Sequence, residues 1–318
     1  MAVFISKSRY YKSAMAIIAS AVLLFASTAP VVFADEVAAV KSVDIKPYQQ
    51  AVNGFKSSVR AEVNEYVLDY DDEKAAKVVM YLNNDKMHLV FTLGSDALNL
   101  VKNSVKDTPV IFTFVLNPSE IIGQPSGKLP ANMTGISMNI PPDAQFATLL
   151  EAAPKIKRIG VVYDPSKTAN LIKEARDAAE KLGVALVATK INTKSEAINA
   201  ISRMKGNVDA LWMIPDTTAI TRESAEYMLL YSLQNSIPLI GISEKYVKNG
   251  ALMAFSFDSE DMGRQAGEIA QQILDGKKVT RITPYKPRKL KLTLNSRIAR
   301  KLGLNLSDKL LASAHKVY

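Results

Sequence analysis

Cysteine is absent from this 318-residue chain, and histidine occurs only twice, at His88 and His315. The first absence excludes disulfides, cysteine catalysis and anchoring of a processed chain through an N-terminal lipidated cysteine. Two isolated histidines do not make the clustered ligand set that a metal site needs. A Ser-His-Asp triad would have to recruit one of them beside a nucleophile elbow, and G-x-S-x-G does not occur. The run Gly123 to Lys128, GQPSGK, is one residue short of a phosphate loop, holds a proline and does not lead from a strand into a helix. Carboxylates are plentiful, but no pair is marked as acid and base. These absences argue against an enzyme and imply no cofactor. Beyond the N-terminus, no run is long and apolar enough to span a bilayer.

What is there suits a large apolar core. The length allows two domains, and 48% of the residues are hydrophobic. Lys7, Arg9 and Lys12 precede an uncharged, alanine-rich run from Ala14 to Ala29, and Val32-Phe33-Ala34 precedes Asp35-Glu36. This is the layout of a secretory signal peptide over residues 1–34, cleaved after Ala34. The rival, a membrane anchor, would need a longer span. Cleavage lowers the net charge from +9 to +6, which mildly suits an anionic surface. Export argues against a nucleic-acid partner, and the mature chain reads as a periplasmic monomer.

Strand and helix patterns alternate along the whole mature chain. Short apolar runs bounded by turn residues, such as Leu89 to Leu93 and Val110 to Leu116, read as parallel strands covered on both faces. Apolar residues at helical spacing follow each one, as in Ala97, Leu98, Val101 and Val105. Pro141-Pro142 breaks the series, and a second one starts at Lys157. This pattern predicts α/β architecture with two doubly wound lobes. The basic stretch Lys286, Arg288, Lys289 and Lys291 is expected to be an exposed edge strand kept soluble by its charges.

In open α/β sheets, ligands bind beyond the carboxyl ends of the strands. Polar residues recur at such ends: Ser42, Ser95, Asp96 and Asn117 in the first half, Asp164 and Asp216 in the second. Helix N-termini there favour a carboxylate or carbonyl group. Asp164 and Asp216 are expected to accept from donors on the ligand. Tyr48, Phe114, Tyr163 and Phe257 are aromatic candidates for stacking. The plain alternative is that the polar residues only cap helices and the aromatics only fill the core.

The landmarks TLGSDA at 92–97, PVIFTFVLNP at 109–118, NMTGIS at 132–137, RIGVVYDPSKTAN at 158–170 and VDALWMIPDT at 208–217 occur in a characteristic order. IPLIGISEKYVKNGALMAFSFDSEDMGRQAGEIAQQILDG at 237–276 and LTLNSRIARKLGL at 292–304 complete it. Together they resemble the periplasmic substrate-binding proteins of ABC transporters with a type I periplasmic-binding fold, in the group that includes tryptophan- and tyrosine-binding members. The resemblance covers essentially all of the mature chain. It implies a small molecule in an interlobe cleft, delivery to an ABC permease in the inner membrane, and lobes that exchange segments: 35–139 plus 257–283, and 140–256 plus 284–318. A ligand-sensing subunit serving a membrane signalling protein is the alternative. Asn117 stands where the family tends to have Asp, and Lys167 where an acidic residue is frequent. Both departures remove negative charge beside the expected ammonium site, and they set a divergent ligand beside an α-amino acid as the two options.

Overall fold

The computed structural model describes residues 35–83, 87–116, 118–123 and 129–318. The signal-peptide expectation for 1–34 and the site expectation for Asn117 lie outside these residues.

The first sheet has five parallel strands: β1 (Asp35–Lys41), β2 (Ala61–Val67), β3 (Met87–Leu93), β4 (Val110–Val115) and β5 (Met133–Ser137). Their spatial order is β2-β1-β3-β4-β5. Strand side chains alternate between faces, and the core divides accordingly. Val37, Ala39, Leu89, Phe91 and Ile111 pack with helices Lys46–Lys56 and Ser259–Leu274. Ala38, Val40, Val90, Val110 and Phe112 pack with helices Asp72–Leu82 and Ser95–Ser104. One irregularity breaks the alternation. The register between β4 and β5 shifts between Phe112 and Val115, and Phe114 has φ +57°. The bulge swaps the faces: Phe114 joins Ile111 on the first side, and Val115 joins Phe112 on the second.

The second sheet holds β6 (Arg158–Tyr163), β7 (Ala185–Lys190), β8 (Ala210–Trp212), β9 (Leu239–Gly241), β10 (Met253–Phe257), β11 (Leu290–Leu294) and β12 (Lys316–Val317). Its order is β7-β6-β8-β9-β10-β11-β12. The first five strands repeat the winding of the first sheet: second, first, third, fourth, fifth. That order puts a reversal, and hence a crevice, between β1 and β3 and again between β6 and β8. The α/β architecture with two lobes predicted by the alternation is what the structure has. The apolar run Leu89 to Leu93 lies within β3, and the run Val110 to Leu116 coincides with β4 up to Val115.

β11 corrects the edge-strand expectation. It pairs antiparallel with β10 on one side and parallel with β12 on the other. The basic residues around it are ion-paired. Arg288 donates to Asp261 at 3.0 Å and to Glu268 at 2.8 Å, Lys291 meets Asp258 at 3.1 Å, and Lys286 meets Glu174 at 2.8 Å. The chain reaches β11 by passing β5, where the Ser137 amide donates to the Tyr285 carbonyl and the Tyr285 amide to the Gly135 carbonyl. Among the described residues, no helix is long and apolar enough to cross a membrane.

Candidate functional site

The carboxyl ends of both sheets open onto a cavity of about 310 Å³, at the lower end of the size range of small-molecule pockets. The first sheet contributes Leu116 after β4 and Met138, Asn139 and Ile140 after β5. The second contributes Trp212, Met213 and Pro215 from β8 and its exit, Gly241 to Ser243 from β9, and Phe255 to Phe257 from β10. Gln145 and Leu171 reach in from helices Pro142–Ala152 and Pro165–Lys181.

Trp212 is fully buried and set by two contacts. Its ring meets Phe146 edge-on at 5.0 Å, and its Nε1–H donates to Gln145 Oε1 at 2.9 Å. Gln145 in turn donates through Nε2 to the Ile140 carbonyl at 3.1 Å. The indole is therefore fixed in orientation before any ligand enters. Phe257, at the end of β10, faces Phe114 edge-on at 5.5 Å, and Phe114 meets Tyr48 at 4.9 Å. The bulge at Phe114 builds this aromatic row, because a regular strand would send that ring to the other face.

The residues expected from the sequence fall into three places. Phe257 lines the cavity. Ser42, Tyr48, Ser95 and Asp96 gather at the β1–β3 crevice of the first sheet. There the Ser42 hydroxyl accepts from the Ala97 amide at 2.9 Å and so ties the helix Ser95–Ser104 to β1. Gly94 turns the chain with φ +96°, and a Cβ on it would lie 2.4 Å from the Tyr48 hydroxyl and 2.6 Å from Ser42 Oγ. Ser95 and Asp96 are exposed. Burial, with the Asp96 charge added, pushes the Tyr48 hydroxyl above its usual pKa, so Tyr48 is a neutral donor at physiological pH.

Asp164 and Asp216 form the third place, where their carboxylates are engaged by the protein itself. Both are buried. Asp216 accepts from the Thr218 and Ala219 amides through Oδ1, and from the Asp164 amide (2.8 Å) and Thr168 hydroxyl (2.7 Å) through Oδ2. A carboxylate has about four acceptor positions, and protein donors take all of them. Asp164 caps the helix Pro165–Lys181, accepting from the Ser166 amide and hydroxyl and from the Thr218 hydroxyl. The Ser166 hydroxyl, then the other donors, hold its carboxyl below the usual range. Neither lines the cavity. Tyr163 is likewise core. Lys167 donates to the Thr217 hydroxyl at 2.5 Å.

Trp212, Gln145 and Asn139 were missed in the sequence. The only tryptophan of the chain, within VDALWM, reads as an ordinary buried strand residue. Asn139 had a signal: a polar side chain closing an apolar strand just before Pro141-Pro142.

A family model described as ABC transporter substrate binding protein matches residues 36–318. A tyrosine-binding protein of Clostridioides difficile is 28% identical over 233 residues, 71% of this chain; the match spans 66% of that relative's own length. Among solved structures, a ligand-free, open substrate-binding protein with adhesive properties from Clostridium difficile superposes with a TM-score of 0.70 at 22% identity, covering 89% of this chain and 99% of the other. A Streptococcus pneumonia protein in complex with L-Trp gives 0.60 at 21% identity, covering 90% and 100%. These two share the fold. The chain belongs to the family of ABC transporter substrate-binding proteins and is a solute-binding protein, not an enzyme.

Proposed function

We propose that this protein is the periplasmic receptor of an ABC importer, exported by cleavage after Ala34, and that it carries a small, flat, mainly apolar molecule to a permease in the inner membrane. The observation that carries this reading is the cavity between the carboxyl ends of the two sheets, with the preset Trp212 indole on one side and the Phe257 ring on another. Flat apolar faces of this kind select aromatic ligands by stacking and edge contacts. The tyrosine-binding relative points to the same ligand class. Segments 35–139 and 257–283 form one lobe in this reading, and 140–256 and 284–318 the other; the helix Ser259–Leu274, packed against Lys46–Lys56 of the first sheet, supports that exchange. Mass spectrometry of small molecules released on denaturing the purified protein tests the proposal. An aromatic compound in stoichiometric amount is expected. A release consisting only of sugars or inorganic anions would overturn it.

A further inference from the structure

We infer that Tyr70 is a ligand-binding residue of this receptor: its ring, held out into solvent by a left-handed turn after β2, covers the outer face of a flat aromatic molecule seated between the strand ends. The inference rests on the proposed receptor function and adds a residue to its site.

The backbone is the first argument. In the turn after β2, Asp69 has φ +50° and Tyr70 φ +59°. Aspartate enters the left-handed region fairly readily, but a bulky residue such as tyrosine is an outlier there. Strained backbone persists only where its surroundings impose it, and it concentrates at ligand clamps and switch regions. Here the surroundings are the crevice between β1 and β3. The Leu68 amide donates to the Lys41 carbonyl and the Asp69 amide to the Ser42 carbonyl, both at 3.0 Å. The Asp69 carboxylate accepts from the Asp44 amide at 3.3 Å and from Lys74 Nζ at 3.1 Å. The helix Asp72–Leu82 is capped separately, by Asp71, which accepts from the Glu73 and Lys74 amides. The strained turn is thus fastened to Lys41, Ser42 and Asp44, the segment that opens the crevice.

Exposure and position are the second argument. Tyr70 is 83% exposed, the most exposed of the large hydrophobic side chains among the described residues. A costly backbone conformation that presents an aromatic ring to water gains nothing in packing. β2 runs parallel to β1, so its exit lies on the same edge of the sheet as Ser42 and Gly94, the edge beyond which α/β sheets bind ligands. The Tyr48 phenol is pushed up first by burial and then by the charges of Asp96 and Tyr70, so both lie within its electrostatic reach. From Tyr48 the rings continue inward through Phe114, 4.9 Å away, to Phe257, a further 5.5 Å on, which lines the cavity. Tyr70 is the outer, solvent-facing member of this aromatic row. A flat molecule seated along the row turns its outer face to Tyr70, and the ring–ring contact made there is gained only on binding.

Calorimetric titration of ligand-stripped wild type with L-tryptophan, L-tyrosine and indole selects the tightest of the three as the probe. Tyr70→Ala and Tyr70→Gly should each bind that probe about tenfold more weakly, the worth of one aromatic contact. Tyr70→Phe should stay within about threefold of wild type, because the ring and not the hydroxyl makes the contact. Thermal melts separate this role from a structural one. Glycine accepts the left-handed region and alanine does not, so Tyr70→Gly should melt above Tyr70→Ala although the two bind alike. Unchanged affinity in both variants would overturn the inference and leave the receptor reading standing. So would a loss of affinity that follows the melting temperature across the series instead of the presence of the ring. Equal melting of the alanine and glycine variants would remove the strain, and the inference with it. Binding of none of the three probes would also overturn it, while the released-compound experiment decides the receptor reading independently.

Discussion

At the residue scale, the buried carboxylates show how a strand-end aspartate can serve the fold alone. Asp216 gathers two amides of its own turn, the amide of Asp164 and the hydroxyl of Thr168. It thereby ties the exit of β8 to the exit of β6. Replacing it with alanine leaves several buried donors unpaired, each costing about 1–3 kcal/mol. Asp216→Ala is therefore expected to lower stability by about 3 kcal/mol, a fall in Tm of roughly 6–12 °C. Affinity for the released ligand, measured on the fraction still folded, should change less than threefold. A large loss of affinity with an unchanged melt would restore Asp216 to the site.

At the scale of elements, the helices Lys46–Lys56 and Ser259–Leu274 cross almost backbone to backbone. A Cβ on Gly263 would lie 1.9 Å from the Ala51 carbonyl oxygen, and one on Gly54 would lie 2.0 Å from that of Glu260. Alanine normally favours a helix over glycine by about 1 kcal/mol. Here it must push two backbones apart, and overpacking typically costs 1–3 kcal/mol even where side chains can yield. Gly263→Ala should therefore destabilise in a denaturant titration, opposite in sign to helix propensity. The same helix carries Asp261, which faces Arg288, Lys289 and Arg264. Burial acts to raise the Asp261 pKa, but the Arg288 hydrogen bonds and the charges of Arg288 and Lys289 outweigh it, and the carboxyl titrates below its usual value. A group depressed in the folded state adds stability above its unfolded pKa, about 3.9, and loses it as pH falls through the folded value. The stability gap between wild type and Asp261→Asn should be full at pH 7 and shrink below about pH 4. A gap independent of pH would show that the contact acts through shape alone.

At the scale of the whole molecule, the cavity is built from two sheets connected by few chain passages, at 137–141, 255–258 and 282–286. Such an arrangement is expected to close by a hinge when a ligand bridges the lobes. Small-angle scattering of stripped protein should show a smaller radius of gyration once the released compound is added back, with no change for a non-binding control. An unchanged radius at saturation would mean that the lobes do not move on each other.

The sequence by itself determined the α/β class, the two-fold recurrence of strand and helix, the start of the second series near Lys157 and the expectation of an opening beyond the strand ends, where the cavity lies. These follow from local periodicity and turn residues, which any short window contains. Phe257 could be found in that way, because a polar turn follows it directly. Only the tertiary structure decided which polar groups remain for a ligand. The acceptors of Asp216 are consumed by Thr168, 48 positions away, and Asp164, and the Gln145 side chain is spent on Trp212 and Ile140. It also decided which face Phe114 takes, since one extra residue at the β4 bulge reverses the alternation. The basic stretch leads into β11, which has a strand on either side, and its side chains are ion-paired because the carboxylates of Asp258, Asp261 and Glu268 lie on and at the start of the neighbouring helix. Hydrogen-bond saturation and strand neighbours are properties of distant residues brought together, and no local pattern carries them.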